Sequence, residues 1–276
     1  MVMRAFFSIV RRILLMSSLL ITCARALPSV RWTYKRSAMR IFGGGYGQDK
    51  MGDGQVVASS IQRIYDSLIS LTDSSVSKTS SVDGSTLRAC LEEMNSVKLE
   101  DLGIDLNYVD NLKDCVCMNV VNSAEFDIQV FIIPKGKQLP LHDHPSMHVL
   151  SKVVTGHLSV RCFSPHQSGA GGSSSAGRAD LILSAKRTSD DAAWMLSPAD
   201  GNVHELKAEE TTVVFDVLTP PYNEPYRPCN FYKSAESEKG WFLEDAPQPP
   251  NRLLPSTVTY RGLRPDIKKS AWRFQF

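Results

Sequence analysis

No aspartate or glutamate precedes Asp49, although the same 48 residues carry eight lysines and arginines. The formal charge of +2 therefore misleads: beyond that stretch, 23 basic side chains face 29 acidic ones, a net of −6. A body of that sign offers no electrostatic footprint for nucleic acid, and no nucleic-acid partner is expected. Long hydrophobic runs are missing too. The apolar run ILLMSSLLIT has ten residues, about half of what crosses a bilayer, so no stable membrane anchor is expected. Cysteine is scarce, six in 276 residues. Cys23 lies in the basic stretch, and Cys90, Cys115, Cys117, Cys162 and Cys229 are too unevenly spaced for a disulfide framework. That usage fits a reducing or neutral compartment. Cys115 and Cys117 lack the second pair that a zinc site needs, and they read as strand residues.

The acid-free stretch reads as a targeting leader over residues 1–48, cleaved or disordered in the mature protein. MVMRAFFSIVRR, the apolar run and a small-x-small site ending at Ala26 are the parts of a secretory signal. SVRWTYKRSAMR, further on, is basic and hydroxyl-bearing as organelle transit peptides are. Three readings stay open: plastid import through the secretory route, a mitochondrial presequence, or a true start at Met39 or Met51 that leaves a cytoplasmic protein.

GGGYGQDKMGDG (43–54) reads as a joint between leader and fold. Val57, Ile61, Ile64, Leu68 and Leu71 then recur every four or three residues, which predicts an amphipathic helix. A polar loop leads to a second helix with Leu87, Cys90, Leu91 and Met94 on one face and Asp83 or Ser85 as its cap. LEDLGI predicts a helical turn stopped by Gly103. From about residue 115 the period changes. CMNVV, FDIQVFIIP, HVLSKVV, HLSVRCF, DLILSAK, AAWMLSP and TVVFDVL are short, β-branched and bounded by turn residues, which predicts an antiparallel all-β body. A low-complexity insert occupies 164–178, and the chain after 220 reads as proline-rich and irregular. The domains expected are thus a helical segment over 55–110, a β-barrel over 111–265 and a tail over 266–276, in a monomer.

Half of the six histidines fall in PLHDHPSMH, residues 140–148. His142 and His144 are two apart, so on a strand they would share one side. Gly136, His142, His144 and Gly156 are spaced like the first motif of the cupin family, and PADGNVH, ending at His204, resembles its second. The resemblance implies a mainly β fold, a double-stranded β-barrel with N-terminal α-helices packed outside. Cupins usually supply a glutamate four or five positions after the second histidine. Here those positions are His148 and Val149. Three neutral imidazoles leave a divalent ion its full charge and open positions for a thiolate and dioxygen. Iron(II) fits that chemistry, whereas zinc cannot reduce oxygen.

IQRIYD, PLHDHPSMHVLSKVVTG, GNVHEL, FDVLTPPY and PCNFY resemble the family of plant cysteine oxidases and 2-aminoethanethiol (cysteamine) dioxygenases. The resemblance implies Fe(2+) held by His142, His144 and His204, with Asp216 and Tyr222 as catalytic residues that orient the substrate amine and the oxygen chemistry. It implies an enzyme that adds both atoms of O2 to the thiol of an N-terminal cysteine in a peptide or protein, an oxygen-sensing reaction. A small aminothiol such as cysteamine is the alternative substrate. A non-catalytic metal- or ligand-binding cupin is the alternative of another class, and Val149 disfavours a carboxylate-bearing cupin such as an oxalate oxidase. In the animal members the cysteine matching Cys229 can crosslink to a tyrosine two positions later. Here that residue is Phe231, so no such link is expected, and Tyr232 would point the other way. In TVVFDVL, Asp216 shares a face with Val214 and Leu218. A carboxylate buried there needs a cationic or hydrogen-bonding partner.

Overall fold

The computed structural model describes residues 58–72, 84–166, 175–250 and 253–267. The expected leader, the 43–54 joint, the Asp83 cap and the end of the tail lie outside them. Among the described residues, four helices precede the strands: α1 (Ser60–Thr72), α2 (Gly84–Met94), α3 (Leu99–Leu102) and α4 (Leu106–Asn111). The four-three spacing in α1 turns Ile61, Ile64 and Leu68 inward, each fully buried, and each such burial stabilises the fold by about 1.5–3 kcal/mol. Leu87, Cys90 and Met94 are the buried face of α2. Gly103 ends α3 at φ 60, where its N–H reaches the Glu100 carbonyl. Asp105 caps α4 by accepting from Asn107 N at 2.9 Å, a start that the sequence reading did not mark.

Twelve strands follow among the described residues: β1 (Val116–Asn122), β2 (Asp127–Ile133), β3 (Gln138–Asp143), β4 (His148–Thr155), β5 (His157–Pro165) and β6 (Gly177–Thr188). The rest are β7 (Trp194–Leu196), β8 (Val203–Ala208), β9 (Thr212–Thr219), β10 (Phe231–Ser237), β11 (Gly240–Ala246) and β12 (Ser256–Val258). One sheet has the order β12-β1-β2-β9-β4-β7; the other closes as β10-β11-β6-β5-β8-β3. Neighbours are antiparallel except β1 and β12, which run parallel. Ile128, Val130, Phe215 and Val217 face outward from the first sheet and pack on the helices. Val149, Val214 and Leu218 face inward, against Leu158, Val160 and Leu206 of the closed sheet. This is the cupin barrel with helices outside it.

Two expectations need correction. The segment after 220 is not wholly irregular, because β10 and β11 form a hairpin in register from Phe231↔Ala246 to Ser237↔Gly240. The insert is also shorter than 164–178: β5 runs through Pro165, which pairs with Ala179, and β6 begins at Gly177. Of the motif glycines, Gly156 is the one with no substitute. It joins β4 to β5 at φ 90, and a Cβ there would stand 2.3 Å from the Thr211 carbonyl oxygen. Gly136 has a φ of 77 but open space around it.

Candidate metal centre

His142 is the penultimate residue of β3, and His204 faces it from β8 in direct register. β3 stops at Asp143, so His144 sits just beyond the strand, in the turn before β4. The two histidines do share one side, as expected, but His144 reaches it from the turn after Asp143 and not as a second strand residue. Their centroids are 4.8 Å apart, with His204 at 4.7 Å from His142 and 4.8 Å from His144. One nitrogen of each lies within 4.8 Å of the others, the one such cluster among the described residues. His144 and His204 are buried, and His142 is half-buried.

Hydrogen bonds fix two of the three tautomers. His142 Nδ1 is 2.7 Å from the Pro140 carbonyl oxygen, which can only accept, so Nδ1 carries the proton. The Tyr222 hydroxyl donates to the Asp143 carbonyl oxygen at 2.6 Å, which uses its single proton. Nδ1 of His144, 2.8 Å away, must therefore donate to the Tyr222 oxygen. Both rings are left with Nε2 as a lone pair. Nε2 of His144 is 3.0 Å from Nε2 of His204. Two nitrogens each about 2.1 Å from one ion and at right angles would have about that separation. Burial lowers all three histidine pKa values, and for His144 and His204 the neighbouring imidazoles lower them further. The rings are thus neutral at neutral pH, as metal ligands must be.

The backbone around His144 is pinned from two sides. Asn202 accepts the His144 N–H on Oδ1 at 3.2 Å and donates Nδ2 to the His144 carbonyl at 2.6 Å. Asp143, between the two histidines, is fully buried. Its Oδ1 accepts from Asn230 N at 2.9 Å, and its Oδ2 accepts from the Tyr232 hydroxyl at 2.8 Å. Sequence reasoning missed both residues. Their signal was present only as the residue between two histidines and the asparagine two before His204; their partners lie 58 to 89 positions away.

Phe231 pairs with His142 across β10 and β3, their rings 6.3 Å apart, while Tyr232 turns to Asp143 on the other side. Cys229 is partly buried, and burial pushes its thiol up to about 12, with the Tyr222 hydroxyl opposing. Burial also raises the Tyr222 phenol well above its ordinary value, and Cys229, Asp143 and Asp216 add to this. Asp216 is 4% exposed on the inner face of β9. Its nearest companions across the sheet are polar, Gln129 on β2 and Ser151 on β4. Burial raises its pKa to about 7, against an opposing hydrogen bond from the Ser151 hydroxyl, and its Oδ1 has no hydrogen-bond partner. His148, at the start of β4 opposite Thr219, is outside the histidine cluster. Val149, where cupins usually have glutamate, is fully buried in the apolar core.

The family model PCO_ADO matches residues 90–254. The chain is similar to plant cysteine oxidase 2 of Arabidopsis thaliana, 29% identical over 207 residues, which is 66% of this chain and 73% of that protein. It is similar to the 2-aminoethanethiol dioxygenase of Mus musculus at 30% identity, over 46% of this chain and 57% of that protein. The human 2-aminoethanethiol dioxygenase is 29% identical, over 46% of this chain and 54% of its own length. The chain thus spans just over half of the two animal proteins. Among solved structures, an RmlC-like cupin protein from Desulfovibrio desulfuricans is 21% identical at a TM-score of 0.28, over 39% of this chain and 84% of that one. With more than half of its length matched by the family model, and with the barrel and histidine cluster described above, this chain belongs to the PCO_ADO family.

Proposed function

We propose that this chain is an iron(II)-dependent thiol dioxygenase that converts the thiol of an N-terminal cysteine to a sulfinic acid. His142, His144 and His204 hold the iron, and O2 is the only oxidant: R–SH + O2 gives R–SO2H, with both oxygen atoms retained. The observation that carries this is the all-histidine cluster with a buried valine at the usual glutamate position. Such a donor set leaves the ion's charge uncancelled, so a thiolate can bind beside it. The ferrous ion, when bound, supplies adjacent positions at which the sulfur and O2 meet.

The residues of this chain prepare that meeting. Tyr222 and Pro140 keep Nδ1 of His144 and His142 protonated, so both Nε2 lone pairs face inward. Asn202 and Asp143 hold the backbone that carries these rings. Asp216, raised to about 7 by burial in the apo protein, becomes a carboxylate when the substrate ammonium enters, because an adjacent cation favours the charged form. The relatives' names cover a cysteine oxidase and a 2-aminoethanethiol dioxygenase. We favour the peptide because the plant relative matches over the greater share of this chain. On a protein substrate the extent of oxidation follows O2 supply, which makes the reaction an oxygen sensor.

The test is aerobic incubation of the iron-loaded protein with a short Cys-initiated peptide and, separately, with cysteamine, read by mass spectrometry. Gain of two oxygens on the peptide supports the proposal. Gain on cysteamine alone moves the substrate to a small aminothiol. Gain on neither contradicts the enzyme and leaves a metal-binding cupin.

A further inference from the structure

Asp127 is a buried acid without a role in the proposed reaction. It opens β2, pairs directly with Leu218 on β9 and is 7% exposed. Directly paired residues point to the same side of a sheet. Leu218 belongs to the core inside the barrel, so Asp127 points inward as well. Val149 on β4 pairs with the same Leu218 from the other side. Asp127, Leu218 and Val149 thus form one row across three adjacent strands. Val149 is the position from which cupins usually offer a glutamate, so this row runs at the level of the metal centre. With strands about 4.8 Å apart, Asp127 stands about 10 Å from Val149 along the row. It lies beside the centre and is not a member of the histidine cluster.

The carboxyl is incompletely paired. The Ser123 backbone donates a hydrogen bond to it, while Oδ1 is buried without a partner. An acceptor buried in that state is costly and calls for a donor from outside the chain. Asp216 faces the same interior one step deeper, two residues before Leu218 on β9. The two acids surround one thiol: burial raises the pKa of Cys117, and Asp216 and Asp127 raise it further. Diagonal neighbours of this kind lie about 7–8 Å apart. That span has a chemical counterpart. The first two nitrogens of a peptide are about 3 Å apart, and a hydrogen bond adds about 2.9 Å at each end. Two acceptors up to about 9 Å apart can therefore hold both nitrogens at once.

We infer that Asp127 is a specificity residue, which accepts the N–H of the first peptide group of the substrate on its Oδ1. This rests on the thiol reading above, with the sulfur at the histidine cluster and the ammonium at Asp216, and extends it to the chain beyond the first residue. Three groups leave the α-carbon of an N-terminal cysteine: the thiol arm, the ammonium and the peptide group. The first two have their sites, and Asp127 offers the acceptor for the third. Cysteamine has no third group and leaves Asp127 unpaired. A proline in second position has no N–H to give, so a chain that begins Cys-Pro is a poor substrate.

The test uses the iron(II)-loaded full chain under argon, so that binding is read without oxidation. Calorimetry gives the affinities of cysteine amide and of cysteine methyl ester, which keeps the thiol, the ammonium and the carbonyl but has no N–H. Any difference in acidity between the two probes is common to all variants and cancels when their ratios are compared. We expect the amide to bind at least fivefold tighter to the wild type. Asp127→Leu, which has no acceptor, should bring the ratio near one. Asp127→Asn, whose side-chain carbonyl still accepts, should keep it at threefold or more. Asp127→Ala is read like the leucine variant, so the outcome does not hang on the folding of one protein, and circular dichroism checks each. Equal binding of both probes to the wild type overturns the role of Asp127 and leaves the thiol reading standing. A wild-type ratio in Asp127→Leu or Asp127→Ala, or a ratio near one in Asp127→Asn, does the same. Binding of neither probe overturns the thiol reading together with the role of Asp127.

Discussion

The Tyr222 hydroxyl bridges two parts of one turn, 2.6 Å from the carbonyl oxygen of Asp143 and 2.8 Å from Nδ1 of His144. That single group sets the tautomer of a histidine 78 residues away in sequence. Tyr222→Phe removes it and leaves the Asp143 carbonyl without this donor. Loss of such an orienting partner lowers metal affinity by about 10–100-fold. Competition for iron(II) against a chromophoric chelator measures this, and an unchanged circular dichroism spectrum shows that the barrel is intact. Affinity within twofold of the parent would mean that the tyrosine only fills space.

Asp143 makes the opposite kind of contribution, holding the loop instead of the ring. Asp143→Ala leaves the Asn230 N–H and the Tyr232 hydroxyl without the carboxylate they share. Each unpaired buried donor costs about 1–3 kcal/mol. Urea unfolding should therefore show a loss of about 2–5 kcal/mol. Tyr232→Phe removes only one of the carboxylate's donors, leaving those of Asn230 in place, and should lose less than half as much. Equal losses would place the tyrosine's effect in packing.

Little of this network could be read along the chain. The helix face of Ile61, Ile64 and Leu68 and seven of the strands were legible, because apolar spacing reports which side of an element is buried. β3 and β8 were not marked as strands, although they carry His142 and His204, since QLPLHD and VHELKA lack a β-branched run. The β10–β11 hairpin was hidden by prolines before it and by exposed polar residues within it. Asp216 shows the limit most clearly. Along β9 its neighbours are valine and phenylalanine, which made it look isolated; across the sheet they are Gln129 and Ser151, which only strand register discloses.

Stability should depend on pH through Asp216. Unfolded, its carboxyl titrates near 3.8; folded, burial holds the proton up to about 7. Between those values the folded protein binds more protons than the unfolded chain, so this group makes stability fall as pH rises from about 4 to about 7, then level off. Asp216→Asn removes that dependence. Its margin over the wild type should grow across this window by up to about 4 kcal/mol, at about 1.4 kcal/mol per unit. Asp127, raised to about 7 mainly by burial, acts in the same direction in both proteins. The buried histidines act in the opposite direction in both, so the difference between variant and wild type isolates Asp216. Urea unfolding of the metal-free proteins at pH 5 and pH 8 reads it, and a constant margin would show that Asp216 is ionised throughout.

The proposed reaction requires iron held by three histidine nitrogens and by no protein carboxylate. Anaerobic iron(II) loading followed by X-ray absorption and metal analysis tests it directly. We expect one iron per chain with three imidazole donors and the remaining positions taken by exchangeable oxygen ligands. His204→Ala should retain less than a tenth of that iron. A wild type that retains no iron, or an iron with a fourth donor from the protein, would contradict it.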